Sequence, residues 1–528
     1  MSVRLKLPVG ALEGTHEFGV QVFRGIPYAP GAVGERRFRA PGPAPHWSGV
    51  RDARRPGAAA HQRTAAGLRI RRWSAVPAAG ASEDCLHLNV FAPTGRATRR
   101  PVMVWIHGGG YNHGSGSWYV YGGHRLVRRG DVVVVTINYR LGALGALDLR
   151  AFGGAATDTN VGLRDQIAAL SWVRENIESF GGDPENVTVF GQSAGAMSIG
   201  VLLTSPLARG LFARAILESG AMRNVLGAEE ARGVTAALLD ALCIDPESPH
   251  VIDRLRGLDP GEILRAQARV SARHRLPLGM LAWQPVVDDD VVPVLPTNAD
   301  TPSTLPILVG TNLEEWKLFT ATDAKRRSLD GVTLRGYVER TLARDGVASP
   351  GVVDELLEVY GRCPESGGRR SPADVWVALQ TDRVFRLPAV DLVERHARSG
   401  GAGWLYRFDW APRIAPRRIG ACHAIEIPFV FGTLREPTLR PWIGMRPSSL
   451  RLSDTMQATW LAFARSGDPC HAALSEWPAF DPGRGEAHVF AGAGDPSHPR
   501  RPALEEDIRA LWRRLSAMRR PDARAAPA

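Results

Sequence analysis

The sequence predicts an α/β fold, with a doubly wound, mainly parallel central sheet, helices on both faces and helical insertions. Three observations carry that expectation. Short continuous apolar runs recur along the 528-residue chain, and a strand apolar at every position is covered on both faces, as in a parallel sheet. A helical pattern separates these runs, which is the alternation of an α/β architecture. Hydrophobic residues make up 44% of the chain and charged residues 23%, the balance of an ordinary globule with a large core.

Along the chain, Val102–Ile106, Val132–Ile137, Val187–Phe190, Ile307–Val309 and Trp404–Phe408 read as buried strands. Ile167, Leu170, Val173 and Ile177 recur at helical spacing, and Gly181-Gly182 stops that helix. A second helix is expected over Ala196–Leu203. No internal repeat and no long Pro/Gly/Ser linker divides the chain. Residues 1–518 are expected to form one domain, and 519–528, which lack an apolar pattern, a disordered tail.

Composition removes several function classes. Lys plus Arg number 65 against 54 Asp plus Glu, a net charge of +11, but only Lys6, Lys317 and Lys325 are lysines. The arginines are scattered, with small runs at Arg69–Arg72 and Arg513–Arg520, whereas a nucleic-acid protein concentrates them in a patch. They read as a solvated surface. None of the three lysines stands in a Gly-Lys-[Ser/Thr] phosphate loop or a Ser-x-x-Lys hydrolase motif. His16-Glu17 is not followed by a second His at Val20, so it is no zinc-protease helix. No apolar run approaches the roughly 20 residues that span a bilayer. Met1–Gly10 has no continuous apolar stretch, so no secretory signal is expected. Cys85, Cys243, Cys363, Cys422 and Cys470 are odd in number and widely spaced, which fits neither a disulfide framework nor a zinc site. Cys422-His423 and Cys470-His471 are not read as thiol catalysts.

The central chemical signal is Val187–Phe190 followed by Gly191-Gln192-Ser193-Ala194-Gly195 and a helical segment. Gly-x-Ser-x-Gly between a strand and a helix is a nucleophile elbow, a turn so sharp that side chains two residues either side of the Ser would strike neighbouring backbone. A Ser nucleophile needs donors for a tetrahedral oxyanion. His107-Gly108-Gly109-Gly110 follows the strand Val102–Ile106, and its bare glycines let backbone amides approach closely. The N–H groups of Gly109, Gly110 and Ala194 are the expected oxyanion hole. His107 itself reads as a structural loop residue.

With these motifs in place, the chain resembles the type-B carboxylesterase/lipase family, the cholinesterase-like branch of the α/β-hydrolases that includes para-nitrobenzyl-esterase-like bacterial enzymes. The resemblance rests on Phe23-Arg-Gly-Ile-Pro-Tyr-Ala-Pro30, Trp47-Ser-Gly-Val-Arg-Asp-Ala53, Glu83-Asp-Cys-Leu-His-Leu-Asn-Val90, Asn160-Val-Gly-Leu-Arg-Asp-Gln166 and Phe180–Gly191 running into the Ser motif. It implies an α/β-hydrolase fold and a triad in the order Ser, acid, His. Strand Leu305–Val309 leads into Gly310-Thr-Asn-Leu-Glu-Glu315, and the resemblance implies Glu315 as the acid, although position alone does not separate it from Glu314. Asp288-Asp289-Asp290 is a competing acidic run that reads as a solvated turn. The family order leaves His396, His423, His471, His488 and His498, and Gly420–Gly432 is similar to the family's His loop, so His423 is the implied base. The others are expected to be exposed.

The chain departs from that pattern at three places. Gln192 stands before the Ser where the family mostly carries Glu. Trp316 replaces the Gly after the acid. No Cys precedes Cys85, so the bridge common in eukaryotic members cannot form, which fits a cytoplasmic location. Asn186-Val-Thr188 matches a glycosylation pattern at the entry to a buried strand and is read as chance.

The implied activity is carboxylic-ester hydrolysis through Ser193, Glu315 and His423, with no metal or cofactor. Trp118, Tyr119 and Tyr121 either line the pocket or pack beneath it, and an aromatic lining would favour apolar or aryl esters. The expected partner is a small-molecule ester, with no nucleic acid and no membrane, for a monomer or weak homodimer. Competing readings are a noncatalytic binding protein of the same fold and a carbamate or amide hydrolase on the same site.

Overall fold

In a computed structural model the described residues are 1–63, 79–95, 99–153, 156–273, 281–299, 304–321, 323–347, 350–363, 368–413, 415–443, 446–474, 476–491 and 500–518. The expected tail at 519–528, the Arg69–Arg72 run and His498 lie outside them.

The strands in chain order are β1 (Ser2–Leu7), β2 (Gly10–Glu17), β3 (Val20–Pro27), β4 (Val50–Asp52), β5 (His87–Pro93), β6 (Arg100–Ile106), β7 (Val133–Ile137), β8 (Gly182–Gln192), β9 (Arg214–Glu218), β10 (Ile307–Asn312), β11 (Arg362–Cys363), β12 (Gly368–Arg369), β13 (Gly403–Phe408), β14 (Glu486–Phe490) and β15 (Arg500–Pro502). All except the β11–β12 pair join one 13-stranded sheet, in the order β1-β2-β3-β5-β7-β6-β8-β9-β10-β13-β14-β15 with β4 beside β2. From β7 to β14 every neighbouring pair is parallel, while β1, β2, β3 and β5 add an antiparallel flank. The five expected strands are therefore all present in the parallel block.

Both faces of that block are covered, which is why its strands are apolar without alternation. Val102, Val104 and Ile106 pack in one core with Leu170, Val173 and Ile177. Met103 and Trp105, one residue out of phase, pack in a second core with Met456, Trp460 and Phe463. Successive strand side chains point to opposite faces, so each face of β6 receives its own helix. The first is the helix Val161–Asn176, continued by a 3-10 turn to Phe180 and ended by Gly181 at φ 80°. The second is Pro447–Ser466.

Two expectations need correction. Asp288 is not in a solvated turn. It is buried and accepts hydrogen bonds from Asn160 Nδ2 and the amides of Val291 and Val292, so it pins a loop to the start of the helix at Val161. His396 and His488 are buried rather than exposed. His488 stacks on Trp477 with ring centroids 4.6 Å apart, and burial lowers its pKa to about 4, so an aromatic box holds it neutral. No helix among the described residues is long and apolar enough to cross a membrane.

Candidate active site

Four loops at the carboxyl ends of parallel strands converge on one cavity, the position where open α/β sheets place their ligands. After β8 the chain turns at Ser193 with φ 55° and ψ −125°, a conformation that residues with a side chain seldom hold. The turn is over-determined. Ser193 N–H donates to the Glu218 carbonyl at 2.9 Å, and the Ser193 carbonyl accepts Met197 N–H at 2.8 Å. Gly195 is required because a Cβ there would land on the Ile106 carbonyl. The helix Ala194–Leu202 starts directly behind the Ser, so its N-terminal dipole favours negative charge at the hydroxyl.

The glycine loop after β6 lies against this turn, and a Cβ on Gly108 would come within 3.0 Å of Ser193 Cβ. Gly109 has φ 117°, and a side chain there would strike the His113 carbonyl. Among the hydrogen bonds of the described residues, no acceptor within the chain takes the N–H of Gly109, Gly110 or Ala194. Those three amides are available to a ligand. His107 is buried, stacks on Tyr139 at 4.5 Å and has a pKa lowered by burial to about 4, which fits a neutral structural residue.

The third loop follows β10 and the fourth follows β13. His423 Nδ1 lies 2.7 Å from Glu315 Oε2. Glu315 Oε1 accepts the Asn312 amide at 2.7 Å, and the His423 amide donates to the Glu315 carbonyl at 3.2 Å. Both side chains are buried. Glu314, which position could not separate from Glu315, turns away to pair with Lys317 at 2.6 Å. The other imidazole nitrogen of His423 faces Gln192 Nε2 at 3.2 Å. Ser193 and His423 open into the same cavity of about 410 Å³. Trp118 and Tyr121 line it, whereas Tyr119 is 75% exposed and does not. No Asp, Glu, Lys or Arg is among its described lining residues. A larger cavity of about 790 Å³, lined by Arg369, Arg370 and Arg386, receives none of the reactive groups, and Arg386 is paired with Asp382 there.

Residues 2–494 match the model of the carboxylesterase family. The chain belongs to the carboxylesterase family. It is similar to the para-nitrobenzyl esterase of Bacillus subtilis (strain 168), 39% identical over 89% of this chain and 91% of that one. It is 34% identical to the phenmedipham hydrolase of Pseudarthrobacter oxydans over 89% and 91% of the two chains. Among solved structures, a PNB esterase superposes with TM-score 0.81 at 36% identity, covering 96% of this chain and 99% of that one. The Geobacillus stearothermophilus carboxylesterase superposes with TM-score 0.80 at 36% identity, covering 98% and 100%. This carboxylesterase is accordingly a carboxylic-ester hydrolase with the α/β-hydrolase fold.

The sequence reading missed a group of residues behind the imidazole of this carboxylesterase. Glu426 is fully buried, and Asn312 Nδ2 donates to its Oε2. Burial, reinforced by the charge of Glu315, pushes its carboxyl pKa up to about 7. Glu218, at the end of β9, is also fully buried and raised well above the usual carboxylate range by burial and by Glu426. Trp460 Nε1 donates to one of its oxygens at 2.8 Å. A signal for Glu426 was present: it is the sole acid in the apolar run Ala424–Phe431, three residues after His423. The second missed group is aromatic. Phe319 and Phe385 pack on His423 with ring centroids 5.3 and 4.7 Å away, and Trp316 extends that wall against Phe319 at 4.8 Å. Phe385 sits in a π-helical turn, Asp382–Arg386, that no sequence period announced.

Proposed function

We propose that this esterase works through a Ser193–His423–Glu315 triad and an oxyanion hole formed by the amides of Gly109, Gly110 and Ala194. Ser193 Oγ attacks the ester carbonyl while His423 Nε2 takes its proton. Glu315 holds the Nδ1–H tautomer and stabilises the imidazolium that forms. The three unspent amides receive the tetrahedral oxyanion. His423 then protonates the departing alcohol, leaving an acyl-enzyme on Ser193, and water activated by the same imidazole releases the acid.

The observation that carries the reading is the 2.7 Å contact from His423 Nδ1 to Glu315 in a base whose other nitrogen faces the cavity holding Ser193. The uncharged lining and the aromatic wall support apolar or aryl esters as substrates. Residues 1–518 form the hydrolase domain in this reading, with a cytoplasmic location suited to the free thiols of Cys85 and Cys422. A panel of p-nitrophenyl esters of rising acyl length, with p-nitrophenyl carbamates and anilides alongside, tests it. Turnover concentrated on neutral esters supports the assignment. Turnover of anilides or carbamates above esters would reassign the substrate class.

A further inference from the structure

In the mechanism above, Nε2 of His423 is the atom that must receive the Ser193 proton, since Nδ1 is engaged with Glu315. The structure gives Nε2 a second suitor. Gln192 Nε2 lies 3.2 Å away, and both side chains are buried. A primary amide nitrogen donates and has no lone pair to offer, so in this contact Gln192 is the donor and the imidazole nitrogen the acceptor. The contact therefore exists only with a neutral imidazole protonated at Nδ1, which is the tautomer that Glu315 requires.

We propose that Gln192 is a positioning residue that latches the resting base: its amide stabilises neutral His423 and shares Nε2 with Ser193. This deepens the triad reading and rests on it. The chemistry is distinctive because an amide and a carboxylate at this position act in opposite senses. An amide N–H favours the proton-free Nε2. A carboxylate in the same place would favour Nε2–H and hold the base in its spent form. Other titratable groups around the ring are Glu315 in contact, Glu426 within electrostatic reach of both Glu315 and the ring, and His113 in the cavity wall. Phe319 and Phe385, stacked on each other, pack tilted against the ring and contribute no charge. Gln192 is thus the polar side chain placed to bias Nε2 itself. The consequence is an esterase whose base stays free further into acid than a carboxylate at position 192 would allow.

The test is the pH dependence of kcat and kcat/KM on p-nitrophenyl acetate for the native chain, Gln192→Met and Gln192→Glu. Methionine keeps the length and removes the donor. The acid limb of both profiles should move to higher pH by about half a unit to one unit in Gln192→Met, the worth of one ordinary hydrogen bond. It should move by more than about one unit in Gln192→Glu. A role in packing alone would lower rates without moving the limb. An unmoved limb in either folded variant, or a downward move in Gln192→Met, overturns the latch, and the near-isosteric Gln192→Glu decides if the methionine variant does not fold. Fluorophosphonate labelling of Ser193 in the native chain separates the two claims. Labelling with unmoved limbs ends the latch and leaves the triad; absence of labelling ends both.

Discussion

Glu315 and His423 are joined twice: through the carboxylate on Nδ1 at 2.7 Å and through the main chain, where the His423 amide donates to the Glu315 carbonyl at 3.2 Å. The second link fixes the loop after β13 against the loop after β10, so the side-chain contact does not depend on rotamer choice alone. The acid's other oxygen is held by the Asn312 amide at the end of β10. A rigid strand end thereby sets the orientation of the imidazole.

That arrangement separates two adjacent acids. Glu315→Gln places an amide where Nδ1–H must be accepted and favours the wrong tautomer. Its kcat on p-nitrophenyl esters should fall by about 1,000- to 10,000-fold with the fold intact. Glu314→Gln loses the charge paired with Lys317 but keeps a side-chain oxygen for the Ala421 amide, and its kcat should stay within about threefold of native. Equal losses from the two variants would remove Glu315 from its role.

Ser193→Ala should abolish ester turnover to a residual rate about 1,000-fold or more below native, because the remaining amides and binding surface still act without a nucleophile. Circular dichroism and the thermal midpoint should be preserved or raised, since a hydroxyl at a strained φ of 55° is not what holds the turn. Residual turnover near the native rate would point to another nucleophile.

Much of this site was legible because its motifs are local. The Ser turn needs Gly195 within two residues of Ser193 to clear Ile106, and Gly108-Gly109-Gly110 needs no partner to be recognised as a bare-backbone loop. The parallel strands were legible because burial on both faces removes alternation. What the sequence concealed depends on distant segments. Glu218 and Glu426 lie 208 residues apart in the numbering yet couple behind His423. Asp288 is an acid in an acidic run, and only its partners at Asn160 and Val292 make it a buried anchor. The aromatic wall combines Trp316 and Phe319 with Phe385 from a π-helical turn, and periodicity carries no trace of that juxtaposition.

The glycine loop yields a prediction about rate rather than stability. Gly109→Ala adds a Cβ to a residue at φ 117° that would strike the His113 carbonyl, so the loop must shift and its amides with it. Loss of one oxyanion donor lowers kcat by about 100- to 1,000-fold, with KM little changed. Titration by a fluorophosphonate should slow in parallel, since its phosphonyl oxygen uses the same amides. A native kcat in Gly109→Ala would place the oxyanion elsewhere.

The buried carboxylate behind the site makes a prediction about pH. Glu218 has its pKa raised well above 4.5 by burial and by Glu426, so the native state holds a proton there that the unfolded chain releases. With more protons on the native than on the unfolded state, stability falls as pH rises from about 4.5 toward the folded value. Glu218→Gln removes that titration while its amide oxygen can still accept from Trp460, and the backbone carbonyl that accepts Ser193 N–H is untouched. Below about pH 4.5 the variant and the native chain should melt alike, and above it the variant should gain about 1 to 3 °C per pH unit up to neutrality. Calorimetric midpoints at a series of pH values measure this difference. A variant that loses ground as pH rises would mean that Glu218 is ionised in the folded chain, with an uncompensated charge beside Glu426 that the packing would then have to explain.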